Sequence, residues 1–275
     1  MLVSLLQLAA KQNITENLAR AEGSIELAVR RDSAEMVVLP EHFGLRELDV
    51  ARRRHEAEEI PGGRMFIFLQ EQAKKHGIWV HGGSFAEREG ECYYNTSLVF
   101  DPEGRLQAKY RKIFLFDYTA PDGTQYRESQ MNSAGNELVT YRAGGLTFGC
   151  TVCYDLRFPD LFLALARADV DVIVVPACFT FNTTRDHWET LMRARAIDTQ
   201  CFLLGCNQFG ALDDGSRWTG GRSMLVDPWG TISAQAPDEV TVVTSRLEPG
   251  RLDDVRSRFH TALEVRNFQL RGHHT

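Results

Sequence analysis

Leu146-Thr147-Phe148-Gly149-Cys150-Thr151-Val152-Cys153-Tyr154-Asp155-Leu156-Arg157-Phe158-Pro159 is the stretch on which the reading of this chain turns. Leu146 to Cys153 is apolar or small throughout and reads as a buried strand. Polar Tyr154, Asp155 and Arg157 follow at once. Pro159 suits the first turn of a helix, where its missing N–H would be unpaired anyway. Leu161, Phe162, Leu165 and Ala166 then give that helix one apolar stripe, and Val172 to Val175 is a second apolar strand. Strand, helix, strand is the unit of an α/β fold. It places Cys153 at the strand-to-helix turn.

The same alternation extends in both directions. Leu2 to Leu8 reads as a strand, and Asn13 with Glu16 has the spacing of a capping box. Ile14, Leu18, Ala21, Ile25 and Ala28 then line one helix face. Met36 to Leu39 is a short buried strand ending at Pro40-Glu41. Met65 to Ala73 is helical. Ile78 to Val80 and Tyr94 to Phe100 are strands, and Leu106 to Tyr110 returns antiparallel after the turn Asp101-Pro102-Glu103-Gly104. Residues 117 to 138 read as a long functional loop. Beyond the central stretch, Asp186 and Glu189 read as a second capping box opening a helix to Gln200. Phe202 to Cys206, Ser223 to Val226 and Val240 to Ser245 are strands.

Val37-Val38-Leu39-Pro40 and Ile173-Val174-Val175-Pro176 are similar apolar strands ending in proline. They suggest two related halves whose sheets pack face to face. The expected fold class is therefore α/β, a four-layer α-β-β-α sandwich of two mixed sheets with outer helices. One domain is expected over 1–260, with a tail over 261–275.

Composition removes several classes of function. The chain has 275 residues, 43% hydrophobic and 25% charged, and a net charge of −6. Such values exclude a disordered chain. No block of Lys and Arg offers a phosphate footprint, so no nucleic-acid partner is expected. Arg30-Arg31 and Arg52-Arg53-Arg54 read as solvated helix faces. No apolar run approaches the ~20 residues of a membrane span, and no basic segment precedes the apolar N-terminus as in a signal peptide. Six scattered cysteines make neither a zinc framework nor a disulfide framework, which fits reduced thiols and a cytoplasmic location. With no phosphate loop, dinucleotide fingerprint or metal cluster, neither a cofactor nor a metal is expected.

Three residues are candidates for chemistry. Cys153 has the position of a nucleophile, because amides following a strand-to-helix turn point toward a helix N-terminus that favours negative charge. Its plainer reading is a small buried hydrophobe. A thiol gains from a base, and His42, His187 and Glu41 are candidates. Glu41 stands where poor hydration would raise its pKa. An ordinary loop acid is the plainer alternative. Lys112 ends the antiparallel return beside Ile113, Phe114, Leu115 and Phe116, where a fixed cation could hold an oxyanion or merely snorkel.

Taken together these sites resemble the nitrilase (carbon–nitrogen hydrolase) superfamily. The matching segments are Leu39-Pro40-Glu41, Tyr110-Arg111-Lys112 and Cys153-Tyr154-Asp155-Leu156-Arg157-Phe158-Pro159. Gly82-Gly83-Ser84, Tyr94-Asn95-Thr96, His187-Trp188-Glu189 and Gly221-Arg222-Ser223 match as well, in the right order. The resemblance implies a Glu41–Lys112–Cys153 triad, with Glu128 as the second glutamate of the active site. Glu41 would be the base for Cys153, and Lys112 with the Tyr154 N–H would hold the oxyanion. The implied reaction is hydrolysis of the terminal amide of a small carboxylic acid to acid and ammonia, through a thioester.

Cys-Tyr-Asp-x-Arg-Phe resembles the amidase branch containing omega-amidase and deaminated-glutathione amidase. Carbamoyl-amine hydrolysis, nitrile hydrolysis, or a non-catalytic interaction protein are the alternatives. Tyr154, Arg157, Phe179 and Arg185 are the candidate substrate contacts. The two cations among them are suited to a substrate carboxylate. The competing arrangement pairs Arg157 with Asp160 and Arg185 with Asp186. Thr184-Arg185-Asp186 departs from the neutral Gly-Pro-Ala usual in these two amidases. The implied partners are a small-molecule amide and a second copy of the chain. A homodimer or larger would pair through 159–168 and 186–200.

Overall fold

The computed structural model describes residues 1–259 and Glu264, apart from 121, 122, 213, 214 and 216. The expected 261–275 tail therefore lies outside the described residues, Glu264 excepted.

The first sheet is built from β1 (Leu2–Gln7), β2 (Met36–Val38), β3 (Trp79–His81), β4 (Phe85–Glu89), β5 (Cys92–Phe100) and β6 (Leu106–Arg111). A small hairpin, β7 (Asp117–Thr119) and β8 (Gln125–Arg127), follows within the stretch expected to be one long loop. The second sheet holds β9 (Thr140–Ala143), β10 (Leu146–Cys150), β11 (Val172–Ala177) and β12 (Phe202–Asn207). After the hairpin β13 (Phe209–Ala211) and β14 (Trp218–Gly220), β15 (Met224–Val226) and β16 (Ile232–Gln235) complete it. β17 (Thr241–Arg246) returns to the first sheet beside β1.

Each sheet has three adjacent parallel strands, β1-β2-β3 and β10-β11-β12, flanked by antiparallel ones. This repeated plan is the two-half organisation suggested by the paired apolar strands. One detail differs. β11 does not stop at Pro176 but runs to Ala177, with Pro176 opposite Cys206.

Side-chain alternation shows the layers. Val3 and Leu5 of β1 and Met36 and Val38 of β2 belong to the core shared with the second sheet. Leu6 and Val37 point the other way, into a core shared with α1 (Ile14–Asp32) and α3 (Arg64–His76). The strands are buried on both faces, which is why they read as continuous apolar runs. α2 (Val50–His55) lies between those two helices in the chain. α4 (Pro159–Arg167) and α6 (Glu189–Thr199) cover the second sheet. The order is α-β-β-α.

Local capping follows the sequence in part. Asn13 accepts from the Glu16 N–H at 3.3 Å, and Pro159 occupies the first turn of α4. The expected Asp186 cap does not form. The chain enters α6 through a short helix at Phe181–Thr183 (α5) and a π-turn at Thr184–Trp188. Asp186 turns outward to Arg185, and the Thr183 hydroxyl bonds the Thr180 carbonyl. Among the described residues, no helix is long and apolar enough to cross a membrane.

Candidate active site

Glu41, Lys112, Cys153 and Cys178 all follow the ends of strands that meet at one rim of the two sheets, and all line one cavity of about 380 Å³. Open α/β sheets place ligands at the carboxyl ends of their parallel strands. Glu41 stands three residues past β2, fixed by a bridge to Ser84 and by the Gln208 amide on its carbonyl at 3.0 Å. Gly83 has φ +57°, and a Cβ there would collide with the Pro40 carbonyl, so glycine is what lets this turn close.

β10 is three residues shorter than the expected strand. The Thr151 hydroxyl and amide both bond the Val174 carbonyl, at 2.8 and 3.1 Å. Asp155 accepts from the Val152 N–H at 2.8 Å. These bonds pull the chain into a 3₁₀ turn at Cys153–Arg157. Cys153 takes φ +51°, a strained conformation for a non-glycine residue. Asp155 also accepts from the Tyr110 hydroxyl at 2.7 Å and the Phe114 N–H at 2.8 Å. It thus ties the cysteine turn to the segment carrying Lys112.

The Lys112 ammonium is 3.0 Å from Glu41 Oε1 and 2.7 Å from Glu128 Oε2. Asn95 Nδ2 donates to both acids, at 2.9 Å to the same Glu41 Oε1 and at 3.1 Å to Glu128 Oε1. The Phe116 N–H adds 2.7 Å to Glu128. Glu41, Lys112, Asn95, Glu128 and Cys153 are all buried. Cys153 shares the cavity with Glu41 and Cys178, close enough to the Glu41 carboxylate for the two groups to shift each other's ionisation.

Burial raises the Glu41 carboxyl, as expected from the sequence. Lys112 and the other nearby groups outweigh it and leave Glu41 below the ordinary value. The expectation of a raised value fails because it left out the ammonium 3.0 Å away. Burial also works to raise Glu128, yet Lys112 and the Phe116 N–H hold it down at about 2. Burial and the Glu41 charge push the Cys153 thiol well up. The resting state is therefore a protonated thiol facing an ionised carboxylate that is already paired to a cation.

Of the other candidate bases, His42 is held neutral by burial, its pKa pushed down to about 4. It stands 3.8 Å from Glu41. His187 bonds Arg157 at 3.3 Å. Tyr154, Arg157 and Phe179 line the cavity, and the Arg157 guanidinium lies 5.4 Å from the Phe179 ring centre. Arg157 makes no ion pair with Asp155 or Asp160. Arg185 is not among the cavity-lining residues and is exposed, bonded to Asp186 at 2.7 Å through each of two nitrogens. The sequence marks Asn95 only as a motif position, and it reads Arg53 as solvated. The structure puts Asn95 between the acids and Arg53 in the cavity wall, with Arg52 and Arg54 outside. Period-2 alternation in β5 could have pointed to Asn95; nothing local marks Arg53.

The sequence pattern described as carbon-nitrogen hydrolase matches residues 2–257. The chain belongs to the carbon–nitrogen hydrolase family. It is 37% identical to a deaminated glutathione amidase of Synechocystis, over 94% of this chain and 95% of that protein. It is 34% identical to omega-amidase NIT2 of Danio rerio, over 96% and 94%. Among solved structures, Saccharomyces cerevisiae Nit3, a member of branch 10 of the nitrilase superfamily, superposes with a TM-score of 0.85 at 30% identity, covering 94% of this chain and 93% of that one. This carbon–nitrogen hydrolase is of the amidase type, and its four-layer architecture is that of the superfamily.

Proposed function

We propose that the enzyme hydrolyses the ω-amide of a short carboxylic acid, with Cys153 as nucleophile, Glu41 as acid–base and Lys112 as oxyanion partner. The observation that carries this reading is that Cys153 lines one cavity with Glu41 and with the buried Lys112 ammonium, which is 3.0 Å from Glu41. Proton transfer from a raised thiol to a lowered carboxylate is uphill in the resting site. It becomes favourable as sulfur bonds the amide carbon, because the negative charge then moves to the carbonyl oxygen. There Lys112 and the Tyr154 N–H receive it.

The protonated Glu41 next gives its proton to the departing nitrogen as the C–N bond breaks, releasing ammonia and leaving a thioester. Water attacks the thioester carbon, Glu41 takes a proton from it, and the carboxylic acid leaves as sulfur regains its proton. Glu128 keeps Lys112 charged and aimed. The names of the relatives support amides of small acids as the substrate class. Arg157, in the cavity wall with no carboxylate partner among the described residues, would take the substrate carboxylate.

The test is a panel of ω-amides with ammonia detection. A free acid is expected to be cleaved far faster than its methyl ester, and Arg157→Ala to raise KM about 10-fold or more. Equal rates on acid and ester would overturn the carboxylate contact.

The same reading includes a homodimer in the cytoplasm. Ile197 of α6 and Trp229 are half exposed, and the Trp229 ring lies 5.4 Å from that of half-exposed Phe259. A monomer by light scattering at micromolar concentration would remove the dimer.

A further inference from the structure

The proton balance of the proposed reaction does not close on Glu41 alone. Amide and water enter; ammonia, a carboxylate and one proton leave, and ammonia has gone before the acid forms. That last proton is released beside Glu41. The Glu41 side chain is 3% exposed, and its Oε1 is taken by the Lys112 ammonium at 3.0 Å and the Asn95 amide at 2.9 Å. Neither partner can accept a proton through those bonds, because an ammonium and an amide N–H only donate.

His42 is the neighbour that can. Its Nε2 stands 3.8 Å from Glu41 Oε1, and its side chain is 17% exposed. Among the described residues no hydrogen bond holds either ring nitrogen. The ring is carried on a left-handed backbone, φ +59°, which costs free energy in a residue other than glycine. The charged groups around it are Glu41, Glu128, Lys112 and Arg53.

Two cavities meet at this ring. One is the catalytic cavity. The other has about 10 Å³, and His42, Arg53 and Glu56 line it beside Leu45, Met65 and Phe85. That is room for about one water molecule, with polar groups to hold it. Glu56 is 23% exposed and paired with the exposed Arg64, so this side of the ring borders solvent. An imidazole takes a proton on one nitrogen and gives one up from the other. Burial holds His42 at about 4, and Lys112 holds Glu41 below its ordinary 4.5. A proton therefore crosses between them at little cost, and His42 does not keep it at neutral pH.

We propose that His42 is the proton outlet of the site, taking the proton from Glu41 and passing it to water on the far side of the ring. It has no part in the bond-making steps and acts only through Glu41. The proposal rests on the roles given above to Cys153 and Glu41.

An activated ester isolates the step. p-Nitrophenyl acetate acylates Cys153, and its leaving group departs as an anion, so the thiol proton stays on Glu41. Glu41 cannot activate water against the thioester until that proton has gone. Stopped-flow kinetics compare the full chain with its His42→Asn variant. Asparagine tolerates the left-handed backbone, but its amide does not relay protons. The nitrophenolate burst is expected to hold within about threefold, and the steady rate after it to fall about 10-fold or more. The hindered base 2,6-dimethylpyridine takes protons without attacking acyl groups. It is expected to restore most of the steady rate in the variant and to leave the wild type within about twofold. A structural defect would not respond to the base. His42→Gln repeats the test where the asparagine variant is unstable.

A Cys153-dependent burst followed by an undiminished steady rate in His42→Asn overturns the outlet, since the proton then leaves through the open cavity. So does a deficit that the base does not relieve. A deficit that the base relieves, found in an enzyme that releases ammonia from no ω-amide, leaves the outlet standing and sinks the substrate proposed above. A burst that survives in Cys153→Ala removes the nucleophile, and the outlet with it.

Discussion

Lys112 and Arg111 are neighbours in the chain, yet they serve two different buried ion clusters. Alternation along β6 sends Lys109 and Arg111 to one face and Tyr110 and Lys112 to the other. On the first face the buried Glu87 takes Arg111 at 2.6 Å, Lys109 at 2.5 Å and the Thr96 hydroxyl at 2.5 Å. Exposed Glu89 adds a further carboxylate to Arg111 at 2.7 Å. The cations on that face keep partial access to water. On the second face one fully buried ammonium is shared by two carboxylates, and a thiol completes the set. The first cluster balances its charge, and none of its residues lines the cavity described above. The second holds an excess of carboxylate, keeps a transferable proton and faces 380 Å³ of open space. Burial and ion pairing alone therefore do not mark a site. An unfinished charge balance next to a cavity does.

The comparison can be broken from either side. Cys153→Ala is expected to abolish turnover, a loss of at least about 10⁴-fold, while the melting transition stays close to that of the wild type. Cys153→Ser is expected to be nearly as inactive, because Glu41 is too weak a base for a hydroxyl. Substantial activity in either would take the nucleophile away from this residue. Lys112→Arg keeps the charge but not the compact ammonium between Glu41 and Glu128. A loss of at least ~100-fold in kcat is expected, and a near wild-type rate would make Lys112 structural.

The Glu87 cluster is expected to behave in the opposite way. Glu87→Ala leaves Arg111 and Lys109 with only the exposed Glu89 and strands the buried Thr96 hydroxyl, which should lower stability by about 1–3 kcal/mol in denaturant titration. The rate per folded molecule should hold within about threefold. A 100-fold fall in kcat with stability unchanged would erase the distinction between the two faces.

The smallest effect concerns pH. The Glu41 carboxyl is lowered by its cation, so the base stays ionised above its ordinary value of 4.5 and is lost only as pH falls through the lower folded value. Lys112 is raised, so its charge persists below its ordinary 10.5 and is lost only above that. kcat/KM is therefore expected to show no acid limb between pH 5 and 8 from these two groups, to within about twofold. An acid limb centred near pH 6 in the rate of Cys153 alkylation that Glu41→Gln abolishes would mean that burial outweighs Lys112 after all.

Much of the architecture is legible in the chain. The two-sided burial of β1, β2, β10, β11 and β12 leaves apolar runs that no other layer arrangement accommodates as simply, and Pro159 marks the start of α4. Glu41 and Cys153 stand out because each puts a chemically active side chain at the end of such a run, and Lys112 because it stands directly before one. Where local reading failed, a side-chain bond had intervened. β10 stops early because Thr151 and Asp155 capture the backbone, and Asp186 does not cap because Arg185 holds it.

The sequence by itself determined the central strands and the main helices, their periodicity, and which side chains follow the strands, because propensity and alternation are local properties. Only the tertiary structure decided what those side chains meet. Asn95 became the link between two acids, Arg185 an exposed ion pair, and Arg46 and Arg53 cations of the cavity wall with no carboxylate partner among the described residues. Charge interactions act through space over a few ångströms and depend on which partners burial brings together. Glu41 lies 71 residues before Lys112 in the chain and 3.0 Å from it in the fold.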